Sequence, residues 1–251
     1  MQDRRTLILE MLRDEGRVLV GSLASRIGVS EMTIRRDLSE LEAQGIVMRT
    51  HGGAVPTGRL RFLLSAFPHY ELNARKVAIG KCAAGLVRSG QTVMLDTGTT
   101  ALEVARHLAQ DTAITVLTTS LCVAQELYGS ALNILLLGGF LRKEFPSLYG
   151  PLTENMLSSF HIDLLFMGCD GAHAVEGFYS ADLHVSSLEQ AMIRIADRVI
   201  VVTESHKFGK KSFVRYATPE KIHTLVTDAG LSGEDQERLR EQNVHVMIAN
   251  E

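Results

Sequence analysis

The chain has 251 residues, 45% hydrophobic and 22% charged, with a formal net charge of −3. That composition excludes intrinsic disorder and a miniature stapled scaffold, and it leaves room for one large domain or two. No run reaches the ~18 apolar residues of a membrane-spanning helix. Met1-Gln2-Asp3-Arg4-Arg5-Thr6 leads into a charge-punctuated pattern rather than a signal-peptide core, so a cytoplasmic protein with no membrane partner is expected. Cys82, Cys122 and Cys169 have no metal-site spacing and read as small buried hydrophobes in a reducing compartment.

The charge is distributed unevenly in kind. Residues 1–60 hold nine arginines, no lysine and eight acids, and the rest holds 17 basic and 21 acidic residues. Neither part is strongly basic, so contact with DNA would depend on where the arginines sit rather than on a general positive field.

Leu7, Ile8, Met11 and Leu12 recur at helical spacing up to Gly16. Leu23, Ala24 and Ile27 mark a second short helix, broken at Gly28-Val29. Ser30 is a strong helix start for Glu31–Ala43, whose buried stripe is Ile34, Leu38 and Leu41. Gly45 ends it, and residues 46–50, the Gly52-Gly53 turn and Ala54-Val55 predict a hairpin. Three helices and a hairpin make a winged helix-turn-helix over residues 1–56. Residues 57–71 read as a linker, with Pro56, Gly58 and Pro68 and an apolar patch of Leu60, Phe62, Leu63, Leu64 and Phe67 expected to pack on the second domain or a partner subunit.

Over residues 72–251 buried-strand runs alternate with helices. The strand candidates are Val93–Asp96, Ile114–Thr118, Ile134–Leu137, Leu164–Met167, Val199–Val202 and Leu225–Thr227; helices are expected near 74–88, 99–109, 121–128, 152–159, 186–197 and 233–242. The alternation predicts an α/β domain with a mainly parallel sheet and helices on both faces. In such sheets ligands bind beyond the carboxyl ends of the strands.

Those ends are rich in glycine and hydroxyls. Asp96-Thr97-Gly98-Thr99-Thr100 precedes a helix, offering free amides and a helix-dipole end suited to a phosphate monoester. Thr118-Thr119-Ser120 ends the second strand, and Gly138-Gly139 with Arg142 and Lys143 follows the third. Gly168-Cys169-Asp170-Gly171 follows the fourth and Thr203 to Gly209, with Lys207, the fifth; these add a carboxylate for sugar hydroxyls and a cation for phosphate. The nine histidines, among them His69, His107, His161, His173, His184 and His206, lack metal-ligand spacings, and no nucleotide fingerprint or nucleophile elbow occurs. Neither a metal nor a cofactor is expected.

The run Ser30-Glu31-Met32-Thr33-Ile34-Arg35-Arg36-Asp37-Leu38, followed by Leu41, Gly45 and Arg49-Thr50-His51-Gly52-Gly53-Ala54, resembles the signature of the DeoR family of bacterial transcriptional regulators. The resemblance continues through Asp96–Thr100, Gly138-Gly139, Asp170-Gly171 and Ser205–Gly209. It implies a winged helix-turn-helix that binds a double-stranded operator and a sugar-phosphate-isomerase-like domain that senses a phosphorylated sugar, which usually weakens operator binding. The chain departs from the family at Thr119, where asparagine is common, and at Glu189, where lysine often stands. This implies an effector that differs at the end away from its phosphate.

In a helix-turn-helix the start of the second helix faces the major groove. That places Ser30, Glu31, Met32, Thr33, Arg35 and Arg36 at DNA, with Arg49 and His51 on the hairpin reaching phosphate or the minor groove. The expected effector site is Asp96, Gly98, Thr99, Thr100, Thr118, Ser120, Gly139, Arg142, Asp170 and Lys207. The chain is thus expected to be a homo-oligomeric repressor, a dimer or tetramer, since such modules pair over repeated half-sites. The rival is a sugar-phosphate isomerase or deaminase, but Asp170-Gly171 runs into Ala172-His173-Ala174 without the further acid such a proton shift needs. A DNA-architectural protein would leave the hydroxyl-rich strand ends without a purpose.

Overall fold

The computed structural model describes residues 4–58, 60, 73–108, 113–142 and 145–250. The chain divides into two compact units, residues 1–73 and 74–251. Of the apolar patch expected in the linker, Phe62, Leu63, Leu64 and Phe67 lie outside the described residues, as does Lys143; Leu60 is buried.

The first unit contains α1 (Arg4–Glu15), a short β1 (Val18–Leu19), α2 (Val20–Ile27), α3 (Glu31–Ala43), β2 (Val47–Thr50) and β3 (Gly53–Pro56). Ile8, Leu9 and Leu12 of α1, Leu23 of α2 and Ile34, Leu38 and Leu41 of α3 are buried together, the stripes that helical spacing predicts. Ser30 starts α3: its hydroxyl accepts a hydrogen bond from the Thr33 amide at 3.2 Å, satisfying one of the free donors of the first turn. β2 and β3 pair antiparallel, Arg49 opposite Ala54 and Thr50 opposite Gly53, and β1 adds to the outside of β3. The helices and this three-stranded wing form a winged helix-turn-helix.

The second unit opens with α4 (Ala74–Ala84), then β4 (Thr92–Leu95), α5 (Thr99–His107), β5 (Thr115–Thr118), α6 (Leu121–Leu127) and β6 (Asn133–Leu136). A hairpin of β7 (Phe140–Arg142) and β8 (Ser147–Tyr149) leads to α7 (Pro151–Leu157) and β9 (Ile162–Met167). Then come β10 (Gly171–His173), β11 (Gly177–Ser180), α8 (Leu183–Arg194), β12 (Ala196–Val202), a 3₁₀ turn (Ser205–Lys207), β13 (Val214–Ala217), β14 (Thr224–Asp228), α9 (Gly233–Glu241) and β15 (His245–Ala249).

Seven of these strands make one sheet in the order β15-β14-β12-β9-β4-β5-β6, and every pairing in it is parallel. Alternate residues serve two cores. Met94, Leu165, Met167, Val199 and Val201 pack with Phe178, Leu188 and Met192, whereas Val93, Leu95, Leu164, Phe166, Ile200 and Val202 are buried on the other face. The six predicted strands are all present. Three features of this unit go beyond the sequence reading: the edge strand β15, the β7-β8 hairpin and a small antiparallel sheet, β10-β11-β13.

The chain starts its sheet in the middle. It runs outward through β4, β5 and β6, then returns to the other side of β4 as β9 and runs outward again through β12, β14 and β15. The direction of winding therefore reverses between β4 and β9, and the loops that leave these strands part to form a crevice. Among the described residues, no helix is long and apolar enough to cross a membrane.

Candidate functional site

A cavity of about 270 Å³ lies where the two windings part. From β4 and the start of α5 it takes Asp96, Thr97, Gly98, Thr99 and Thr100; from β9, Gly168, Cys169 and Asp170; from β12 and the following turn, Thr203, Glu204, His206 and Lys207. Arg142 reaches it from β7, Ser180 from β11, Glu189 from α8 and Lys76 from α4.

Gly98 adopts φ +114°, a conformation that L-residues rarely take, and starts α5 with no side chain capping the helix. The first intrahelical bond in this turn is Leu102 N–H to Gly98 C=O at 3.1 Å. The amides of Thr99, Thr100 and Ala101 therefore precede the helical ladder and lie at the positive end of the helix dipole, where an anion binds best. Lys207 also lines the cavity, half-buried, and makes no ion pair among the described residues.

The cavity also holds buried acids. Asp96 is buried, and burial raises its pKa although the Thr97 and Gly168 amides hydrogen-bond to it. Glu189 is only 5% exposed; burial first, then repulsion from Asp96, raises its pKa strongly. Asp170 accepts a hydrogen bond from the Ala181 amide at 2.8 Å, which holds β11 to the loop after β9. Arg142 leans toward Asp182, at 3.5 Å, and stacks 5.0 Å from the centre of the Phe145 ring. Lys76 is 3.6 Å from Glu204, and burial lowers the pKa of His206 and favours its neutral form.

Seven of the ten residues expected at the effector site line this cavity: Asp96, Gly98, Thr99, Thr100, Arg142, Asp170 and Lys207. Thr118, Ser120 and Gly139 do not line it, which corrects the sequence reading for these three. The Thr118 hydroxyl donates to the Leu95 carbonyl at 2.8 Å and accepts from the Ser120 amide at 3.0 Å. Ser120 caps α6 by accepting from the Val123 amide at 3.3 Å. Gly139 lets backbones approach, since a Cβ there would lie 2.2 Å from Thr153 Oγ1 and 2.6 Å from the Tyr149 carbonyl. Thr119 is also buried outside the cavity. Lys76 and Ser180 were not expected at the site; they arrive from elements far apart in sequence, and no local motif announces them, whereas Glu204 belongs to the Thr203–Gly209 stretch that follows the fifth predicted strand.

On the DNA-binding unit, Ser30, Glu31, Met32, Arg35, Arg36 and His51 are exposed and Thr33 is half-buried. Arg35 lies 3.1 Å from Glu31 and Arg36 3.3 Å from Glu40, exposed pairs that contribute little and exchange readily for phosphate or base contacts. Arg49 reaches across to α3. Its guanidinium donates to Ser39 Oγ at 2.8 Å, and its amide donates to Glu42 at 2.9 Å, so the side chain ties the wing to α3.

His161, Asp163 and Asp197 could hold a metal by proximity. They sit at the amino ends of β9 and β12, opposite the cavity, and their atoms are already used: Asp163 accepts from the Thr92 amide at 2.6 Å and His161 pairs with Asp197 at 3.0 Å.

A DeoR-like helix-turn-helix domain matches residues 4–57, and a DeoR C terminal sensor domain matches residues 72–229. The chain belongs to the DeoR family. The transcriptional repressor AccR of Agrobacterium fabrum is 38% identical over 91% of this chain and 90% of its own length. The HTH-type transcriptional regulator GlpR of Haloferax volcanii is 33% identical over 98% of this chain and 96% of its own. Among solved structures, ribose 5-phosphate isomerase A of Methanocaldococcus jannaschii is similar over 53% of each chain, with 18% identity and a TM-score of 0.39.

As a member of the DeoR family this chain is a DNA-binding transcriptional regulator with a C-terminal sensor domain, and not an enzyme.

Proposed function

We propose that this DeoR-family protein is a repressor that holds its operator through α3 and releases it when a phosphorylated sugar fills the cavity between β4 and β9. The observation that carries this reading is the uncapped start of α5, Gly98 to Thr100, facing a cavity that also holds Lys207 and Arg142. A phosphate monoester needs amide donors, hydroxyls and a cation, and Asp170 offers acceptors for sugar hydroxyls. DNA recognition falls to residues 1–56 and effector sensing to 72–251, across a linker at 57–71.

In this reading Ser30, Glu31, Met32, Thr33, Arg35 and Arg36 meet the major groove, with His51 on the wing beside the backbone. Two or four copies bind repeated half-sites. The effector acts by changing the spacing between paired helix-turn-helix units, because a small change in separation prevents simultaneous docking. Linkage makes the coupling reciprocal, with a typical size of ~1 to 3 kcal/mol. Operator binding measured by anisotropy, with and without a panel of sugar phosphates, tests this. A phosphorylated sugar should weaken operator binding ~5- to 150-fold, and operator DNA should weaken binding of that sugar by the same factor. A panel in which every sugar phosphate leaves operator affinity unchanged would refute it.

A further inference from the structure

Glu189 poses a chemical problem that a phosphate-binding role does not solve. Its carboxyl faces the cavity and is almost fully buried, yet Oε2 has no hydrogen-bond partner. Ser180 supplies a hydrogen bond to the carboxyl. A buried carboxyl oxygen left without a partner is costly, and native structures retain one mainly where something else completes it. The cations nearby are turned to other groups, Arg142 to Asp182 and Lys76 to Glu204. Lys207 and the half-exposed His206 also line the cavity.

Asp96 and Asp170 are close enough to Glu189 to repel its charge. Both have backbone amides as donors: Thr97 and Gly168 for Asp96, Ala181 for Asp170. A cation brought by the ligand would let Glu189 ionise beside Asp96 and Asp170 and would give its unpartnered oxygen a donor. A bare metal ion fits poorly, because among the described residues these carboxylates do not gather their oxygens within 4.8 Å of one another. An ammonium group suits the site better. It brings three donors and one positive charge, whereas a hydroxyl brings one donor and no charge.

We propose that Glu189, flanked by Asp96 and Asp170, makes this cavity selective for a phosphorylated sugar that carries a free amino group. The inference rests on the reading of the cavity as a phosphosugar site, and adds a second group recognised there besides the phosphate. The ammonium completes the unpartnered Glu189 oxygen while the phosphate takes the Gly98–Thr100 turn.

The test uses the full-length protein and calorimetry at pH 7. The probes are glucosamine 6-phosphate and galactosamine 6-phosphate, their 2-hydroxyl counterparts, their N-acetyl counterparts, and inorganic phosphate. In one sugar series the free amine should bind at least ~10-fold more tightly than both counterparts, a difference of the size expected for a charge-assisted contact. Glu189→Gln should reduce that preference to less than ~2-fold.

A measurement on the unaltered protein guards against a variant that fails to fold. Titration in buffers of different ionisation enthalpy should show the amine releasing about one proton more than the hydroxyl sugar, as the buried Glu189 carboxyl ionises against the ammonium. The proposal is overturned if hydroxyl or N-acetyl sugars bind as tightly as the amines in both series. It also fails if the preference survives in folded Glu189→Gln, if no extra proton is released, or if magnesium or calcium alone binds and is lost with Glu189. Binding of hydroxyl sugars without preference for the amine would sink this inference alone. No binding by any sugar phosphate or by inorganic phosphate would sink the phosphosugar reading with it.

Discussion

Ser205 gives both its backbone amide and its hydroxyl to Asp228, each at 2.7 Å, and Gly230 adds its amide at 2.9 Å. The turn that carries Lys207 is thus fixed from β14, a strand that does not line the cavity. Burial alone would raise the pKa of Asp228, but the hydrogen bonds from Ser205 and Gly230 outweigh it and hold the pKa below its ordinary value. Asp228→Ala should cost about 1 to 3 kcal/mol, because it leaves the partners without an acceptor. It should weaken sugar-phosphate binding through Lys207 and spare operator binding without ligand.

The pH dependence has a definite sign. An acid whose folded pKa is depressed stabilises the fold above its unfolded value, and that stability is lost as pH falls through the folded value. The gap in melting temperature between the natural protein and Asp228→Ala should therefore be full near neutrality and shrink in acid. A gap that stays constant from neutral pH into the acid range would show that the ionised carboxylate is not the source.

Arg4 grips Asp37 with two hydrogen bonds, 2.6 Å from Nε and 2.9 Å from Nη2, and so joins α1 to α3 beneath the recognition surface. The partners are unequal: the Asp37 side chain is 4% exposed and that of Arg4 38%. Removing the arginine leaves a buried carboxylate with, among the described residues, only Arg5 as a nearby cation, at 4.0 Å, whereas removing the acid leaves an arginine that water can reach. Arg4→Ala should therefore destabilise the unit by about 3 kcal/mol and more than Asp37→Asn does. Chemical denaturation monitored on both variants checks the ranking, and the reverse order would refute it.

The three arginines near the DNA-binding surface should separate by what they lose. Arg35→Ala should weaken operator binding by ~1 to 3 kcal/mol if it reads a base, and Arg36→Ala should lower the salt slope by ~1 as a phosphate contact does. Arg49→Ala should act first on stability, since its side chain holds Ser39 and α3. Anisotropy titrations over a salt series, with a melting curve for each variant, distinguish the cases. Selective loss of operator affinity in a fully stable Arg49→Ala protein would return Arg49 to the interface.

The limits of the sequence reading follow from the same geometry. Capped helices and apolar strands announce themselves locally, so Ser30 before α3 and Asp96–Thr100 between β4 and α5 were legible from residues alone. Strand order is not local. Thr118 and Gly139 looked equivalent to Asp96 because each follows a buried run, but β5 and β6 lie outside β4, away from the reversal beside β9. There a hydroxyl or glycine serves the fold. β10, with three residues, is too short for alternation to register, and Lys76 carries no local mark of the cavity it reaches from α4.

Thr99→Glu is the sharpest probe of the phosphate end. Thr99 is the first residue of α5, so a glutamate there would also suit the helix dipole, and the fold should tolerate it. The new carboxylate would occupy the turn where a phosphate is expected and repel a dianion at short range in a partly enclosed cavity. The variant should retain operator affinity and melting temperature while losing its response to every sugar phosphate that relieves the natural protein. Titration of the variant with such a sugar decides the matter: if its affinity for the ligand and its loss of operator binding match those of the natural protein, the phosphate does not lie at Gly98–Thr100.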